Sequence, residues 1–182
     1  IEGGLCSILV KEPDQPLLRF AAGPSLPEAY NQAVAEVPVG PQEGSCGTCA
    51  FRGERIWVAD IASDPLWAKY RGAALPHGLR SCLSVPILSQ HWARGVTSRP
   101  PRVLGTFAVY RTDTLGFDEA MNAFIETATY LASVALEKTR ARRELHPRPS
   151  QPDPAGCRHP RRHDERGRRT ELHGRQAARR RA

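Results

Sequence analysis

Short apolar blocks separated by turn residues fill the first 110 positions of the chain, and beyond them the spacing of apolar residues lengthens to a helical period. Residues 5–10 (LCSILV) form an apolar run with β-branched members and residues 17–22 (LLRFAA) a second. The PDQP between them supplies turn formers, so the pair reads as a β-hairpin. Ser25 and Glu28 stand at the spacing of a capping box, with Leu26, Ala29, Tyr30 and Ala33 on one side of the helix that follows. Residues 40–47 are a glycine-rich loop leading into a short helix that carries Cys46 and Cys49 and ends at Gly53. Residues 56–59 predict a strand, and Asp64 before Pro65 is an N-cap followed by proline at the first helical position. Two further strands are predicted over 79–88 and 103–110, on either side of a basic loop at 91–101. Phe117, Met121, Phe124, Ala128, Leu131 and Ala135 then recur at helical spacing in a segment ending near Glu144. Two of the strand pairs read as antiparallel neighbours, and the strict alternation of a parallel sheet is missing. The predicted class is α+β, with a central antiparallel sheet.

Composition and charge divide the chain in two. Its 182 residues, 40% hydrophobic and 25% charged, suffice for one domain with a proper core and fall short of two. The net charge of +7 is all in the tail: residues 142–182 hold thirteen Arg, no Lys and five acidic groups, a net of +8, against −1 for residues 1–141. The tail also lacks Ile, Val, Phe, Tyr, Trp and Met, so it has little to bury against the entropy of ordering and reads as disordered. Two other readings stand beside that one. An arginine-rich arm could bind a polyanion, although no aromatic is interleaved to stack on bases, so nucleic acid is not the expected partner. Arg, Pro, Ala, Gly and His without Lys is also what a GC-rich gene gives when read out of frame, and Pro147, Pro149, Pro152 and Pro154 break the helix there. No apolar run reaches the roughly 20 residues of a membrane span, and the start lacks signal-peptide features, so a cytoplasmic protein is expected. Five cysteines without regular spacing are a poor disulfide framework and read as reduced thiols.

The segment 40–67, GPQEGSCGTCAFRGERIWVADIASDPLW, together with LPHGLRSCLSVPIL at 75–88 and VLGTFAVY at 103–110, resembles the GAF domains of bacterial multidomain signalling proteins. In relatives upstream of histidine kinases, or of diguanylate cyclase and phosphodiesterase domains, G-S-C-G-T-A-A, A-D-I and D-P-x-W recur in this order; here Cys49 replaces the first alanine. The resemblance covers roughly residues 1–140. It implies a sheet with helices packed on one face and a ligand pocket on the other, covered by the connection between the third and fourth predicted strands. It also implies a helix ahead of Ile1, so the chain reads as a fragment whose last helix keeps an exposed apolar stripe for a homodimer contact.

These residues admit three kinds of chemistry. For a binding module, Trp57, Trp67, Tyr70 and Tyr110 would supply flat apolar walls, and Asp60, Arg80, Ser81 and Ser84 the polar groups that orient a ligand. Arg80 precedes a strand predicted to be buried, where a guanidinium must reach solvent or an anion. Against this, aromatics near strand ends are usually core, and Asp60 or Asp64 can serve only as turn caps. For a redox switch, Cys46 would be a thiolate favoured by the helix dipole and Cys49 a resolving thiol; the bland alternative makes both small structural residues. Zinc lacks a second C-x-x-C or a spaced Cys/His pair in the ordered part, and Cys157, His159 and His163 fall in the tail.

An enzyme of the same resemblance exists, the free methionine-(R)-sulfoxide reductase, whose G-x-C-G-T-A-A cysteine matches Cys46. That enzyme needs a further cysteine in a segment like F-P-G-H-I-A-C-D before the strand at 79–88, which is missing here, and Cys82 comes too late. Triad, phosphate-loop, haem-attachment, kinase and cyclase signatures are absent as well. The sequence therefore points to a non-catalytic sensory domain over residues 1–141, with no metal and no cofactor. It would bind an unidentified small molecule and pass its state through the last helix, by way of Glu137 and Arg140, to an output domain in the parent protein.

Overall fold

The computed structural model describes residues 5–89 and 101–145. Expectations for the basic loop at 91–100 and for the tail beyond Leu145, including Cys157, His159 and His163, lie outside the described residues. The elements in order are β1 (Leu5–Lys11), β2 (Leu17–Ala22), α1 (Glu28–Ala33), β3 (Glu36–Pro38), α2 (Gly44–Arg52), β4 (Ile56–Val58), α3 (Arg71–Ala74), β5 (Ser81–Leu88), β6 (Val103–Arg111) and α4 (Glu119–Leu145), with single 3-10 turns at Pro65–Trp67 and Leu75–His77. The six strands form one sheet in the order β3-β2-β1-β6-β5-β4, and every neighbouring pair is antiparallel. The α+β class with a central antiparallel sheet is thus as the sequence predicts.

Alternation along the central strands sorts residues into two cores. From β5, Leu83, Val85 and Ile87 join Phe107 and Val109 of β6 under α4, whose Ile125 is fully buried, with Met121, Ala128, Ala132 and Leu136 packed along the same contact. Cys82, Ala108, Tyr110, Leu9 and Leu18 point to the opposite face and meet α1, α2 and the connection between β4 and β5. The long helix therefore backs one face, and the short helical segments close over the other, where the pocket was expected. Because β5 and β6 are buried on both faces, they read in sequence as continuous apolar runs, which is why both were legible.

Local chemistry explains most of the element ends. Gly53 ends α2 in the left-handed conformation at φ 71°, which a side chain would strain, and its N–H donates to the Cys49 carbonyl. The Asp64 carboxylate accepts from the Leu66 N–H at 2.8 Å, capping the turn that Pro65 begins, as expected. Asp118 Oδ1 accepts from the Met121 N–H at 2.7 Å and starts α4.

Two readings are corrected. The capping box at Ser25 does not form: α1 starts after Pro27 without a side-chain cap. Ser25 Oγ instead accepts from the Cys6 N–H at 3.1 Å, since β2 pairs only from Ile8 onward and leaves that donor open. The apolar positions chosen along α4 belong to two faces. Phe117, Met121 and Ala128 pack on the sheet, whereas Phe124 and Leu131 are exposed.

Candidate functional site

The N-terminal turn of α2 is the floor of a cavity. Ser45 Oγ donates to Cys82 Sγ at 3.1 Å, and Cys46 Sγ lies 3.3 Å from Ser84 Oγ, so the Gly44-Ser45-Cys46 turn is pinned to β5. The wall opposite is the connection between β4 and β5. Asp60 makes its first bend, with Oδ1 accepting from the Ala62 N–H at 3.2 Å and Oδ2 from Ser63 Oγ at 3.0 Å. Arg71 then ties the bend to α3 by donating to the Ala62 and Asp64 carbonyls at 2.7 and 3.1 Å. That frame presents Trp67, Lys69 and Tyr70 over the α2 turn.

Leu9, Tyr30, Val34, Val37, Glu43, Gly44, Ser45, Cys46, Trp67, Tyr70 and Tyr110 line this cavity, which is partly open to solvent. Its aromatic rings meet edge to face: Tyr30 and Tyr110 at 5.5 Å between centroids, Trp67 and Tyr110 at 6.4 Å, Trp67 and Tyr70 at 6.5 Å. Water centres can occupy about 20 Å³ of it, room for one or two waters, so a larger occupant requires the covering segment to move. The cover is fastened at Glu43, where Tyr70 Oη donates to Oε2 and Lys69 Nζ to Oε1, each at 2.5 Å. The indole N–H of Trp67 is buried and has no protein acceptor.

Electrostatics follow from burial. Tyr30 and Tyr110 are pushed well above the ordinary phenol range, chiefly by desolvation, and stay neutral. The Glu43 carboxyl is lowered, first by the Lys69 hydrogen bond and then by that of Tyr70. A depressed carboxylate contributes stability that is present above its unfolded value, about 4.3, and lost as pH falls through the folded value. We therefore expect the stability advantage of the wild type over Glu43→Gln to be constant near neutrality and to vanish on acidification below about pH 4. Urea titrations of both proteins across that range measure it, and an advantage unchanged at pH 3 would show that the carboxylate charge does not fasten the cover.

Of the residues singled out in the sequence, the structure brings Cys46, Trp67, Tyr70 and Tyr110 to this cavity, with Ser84 one layer beneath holding Cys46. It does not bring Trp57 or Ser81 there. Trp57 pairs with Leu83 in the sheet and so shares its face, where its ring packs 5.1 Å from that of Phe117; Ser81, two residues before Leu83, is buried on that same face. Asp60 and Arg80 pair with each other at 3.2 Å on the surface, the guanidinium finding an anion close to its own turn. Tyr30, Val34, Val37, Leu9 and Glu43 were missed as lining residues. Only Glu43 left a signal in the sequence, a charged residue inside a turn of small ones.

The premise of a thiolate at Cys46 is not met. Cys46, Cys49 and Cys82 are free and buried, and desolvation raises all three thiols above the ordinary range. Cys46 is the third residue of α2, within its first turn, and burial is the largest influence on its thiol there. Cys82, the other thiol considered for reductase chemistry, is fully buried in β5 and accepts from Ser45. Among the described residues no group of three or more His, Cys, Asp or Glu side chains could hold a metal ion, and no helix is long and apolar enough to cross a membrane.

A single antiparallel sheet is thus backed by one long helix and faced by a cover fastened over an aromatic cavity. Residues 2–137 match the family model described as GAF domain, and the chain belongs to that family. It is 33% identical over 139 residues to the methyl sulfide methyltransferase-associated sensor of Methanosarcina acetivorans, covering 76% of this chain but only 13% of that sensor's length. Among solved structures, the GAF domain of a phosphoenolpyruvate-protein phosphotransferase from Coxiella burnetii superposes with a TM-score of 0.59 at 20% identity, covering 78% of this chain and 76% of that one. A domain of a protein described as a two-component sensor histidine kinase from Sinorhizobium meliloti gives 0.56 at 18%, with 78% and 83% covered. The type II free methionine-R-sulfoxide reductase of Thermoplasma acidophilum gives 0.53 at 13%, with 74% and 79% covered; at such identities the likeness is one of fold.

Proposed function

We propose that this chain is the non-catalytic, ligand-sensing GAF domain of a cytoplasmic signalling protein. Its cavity would bind a small molecule, and its output would be a kinase or a cyclic-di-GMP enzyme elsewhere in the parent chain. The observation that carries the reading is the fastened aromatic cavity. A ligand larger than the present space would displace the Glu43 contacts with Tyr70 and Lys69, and so would couple occupancy to the conformation of the cover. A sensor relative at 33% identity supports it, and the buried, protonated thiols disfavour both the redox switch and the reductase. Native mass spectrometry of the purified chain, incubated with a small-molecule cell extract, tests it. The wild type should retain a compound that folded Val34→Phe, which fills part of the cavity, does not. Retention of nothing, or of the same compound by both proteins, would sink the reading.

The signal would leave through α4. Phe124, Leu131, Val134 and Leu145 are exposed at 43%, 61%, 43% and 77% and, with Thr127, Lys138 and Ala141, fall on the a and d positions of one heptad frame. A homodimer in which two α4 helices pair along that frame would cover them. Leu131→Asp should then shift sedimentation from dimer to monomer while the circular dichroism of the sheet persists. A monodisperse wild-type monomer at high concentration would remove the dimer from the scheme.

A further inference from the structure

We propose that the cavity takes a small organic cation with an apolar skin, a methylated ammonium or sulfonium group with an oxygen acceptor nearby, and turns anions away; this rests on the ligand-sensing reading above. Charge is the first argument. No Lys, Arg or His lines the cavity, and its one charged lining side chain is the Glu43 carboxylate. Lys69, the cation beside the cavity, is already paired with Glu43, so an anion would be stripped of water and face that carboxylate, whereas a cation would meet Glu43 once Lys69 has swung away. Ring geometry is the second. Trp67 stands at 81° to Tyr70 and 86° to Tyr110, and Tyr30 at 80° to Tyr110, so the rings that line the cavity pack edge to face and lie in different planes. Each π face attracts a cation within about 6 Å, most strongly where water is excluded.

The protein already supplies a stand-in. Lys69 Nζ occupies Glu43 Oε1, yet the Lys69 side chain is 63% exposed while that of Glu43 is 17% exposed. The lysine can swing into water at little cost and leave the carboxylate to a cation from within. Tyr70, on the other carboxylate oxygen, must swing with it, because the present space is too small for a trimethylammonium head. Among the lining side chains, the buried Trp67 indole N–H is a donor without an acceptor in the protein. An oxygen on the ligand would satisfy it, at a site where an unmade hydrogen bond is costly.

Three probes of one shape separate charge from fit: choline, its uncharged carbon isostere 3,3-dimethylbutan-1-ol, and the anion 3,3-dimethylbutanoate. Each is titrated into the full chain carrying 5-fluorotryptophan, with the Trp67 signal assigned from Trp67→Phe. Choline should move that signal with a Kd at least tenfold below that of the alcohol, and the carboxylate should not move it. Glu43→Gln, which keeps an acceptor for Tyr70, should abolish choline's advantage over the alcohol; Lys69→Met should tighten choline severalfold. If the alcohol or the carboxylate binds as well as choline, the cavity is a ligand site but the cation is the wrong class. If choline leaves the Trp67 signal of the folded protein unmoved, the cation proposal is overturned, and the extract experiment alone then judges the sensor.

Discussion

Gly105→Ala should destabilise the domain by about 3 kcal/mol or more, lowering its unfolding midpoint by roughly 10 °C. Gly105 lies in the middle of the sheet, opposite Val10 of β1 on one side and Ile87 of β5 on the other. A Cβ built there would stand 2.3 Å from the Leu9 carbonyl oxygen and 3.1 Å from the Val10 Cα. Those are backbone atoms of a central strand, so no side-chain rotamer can relieve the clash; β1 must separate from β6 or the bulge between Ile87 and Leu88 must move. Gly72→Ala is the matched control. Nothing lies within 4 Å of its added carbon, which sits in α3, and alanine there should stabilise by about 0.5–1 kcal/mol. Thermal melts of the two variants should move in opposite directions. A Gly105→Ala midpoint within a degree of wild type would show that β1 and β6 are not held as closely as described.

The same sheet shows what the sequence could and could not convey. β1, β2, β5 and β6 were legible because each is a run of apolar residues long enough to stand out from its turns, and β4 because β-branched residues mark it. β3 was not. It is three residues, Glu36–Pro38, paired on one side only and recruited to the edge by β2, so its state is set by a neighbour and not by its own pattern. The site was legible by residue type and obscure by direction. Trp57 and Trp67 carry the same chemistry, but strand parity sends Trp57 to the α4 face, and the turn begun by Asp64 and Pro65 sends Trp67 to the cavity. Tyr30 was placed on the apolar side of α1, yet its partnership with Tyr110, 80 residues away, depends on the whole sheet. Glu43 illustrates the limit most plainly: a carboxylate before a G-S-C-G turn gives no hint that Lys69 and Tyr70 will close on it.

Cys46, Cys49 and Cys82 should alkylate at neutral pH at least about a thousandfold more slowly in the folded chain than in denaturant, while Cys6 should label readily. Relative exposure separates them, Cys6 being half-buried at the start of β1 and the other three lying in the core at 7%, 0% and 0%. Reactivity needs the thiolate and a path for the reagent. Desolvation raises the three buried thiols, and contact with one another raises Cys49 and Cys82 further, whereas the hydrogen bond to Ser84 only partly offsets this for Cys46.

Geometry adds a second barrier. Residues three apart on a helix have Cβ atoms about 5–6 Å apart, while a disulfide needs about 3.5–4.5 Å, so joining Cys46 to Cys49 would unwind the first turn of α2 and with it the cavity floor. Peptide mapping after timed alkylation, with and without denaturant, gives each thiol its own rate. Cys46 labelling as fast as Cys6 in the folded protein would revive the redox switch. The protection expected here would leave occupancy of the proposed cavity as the input, with Cys46 a part of its lining and Cys49 and Cys82 in the core, none of them the group that reacts.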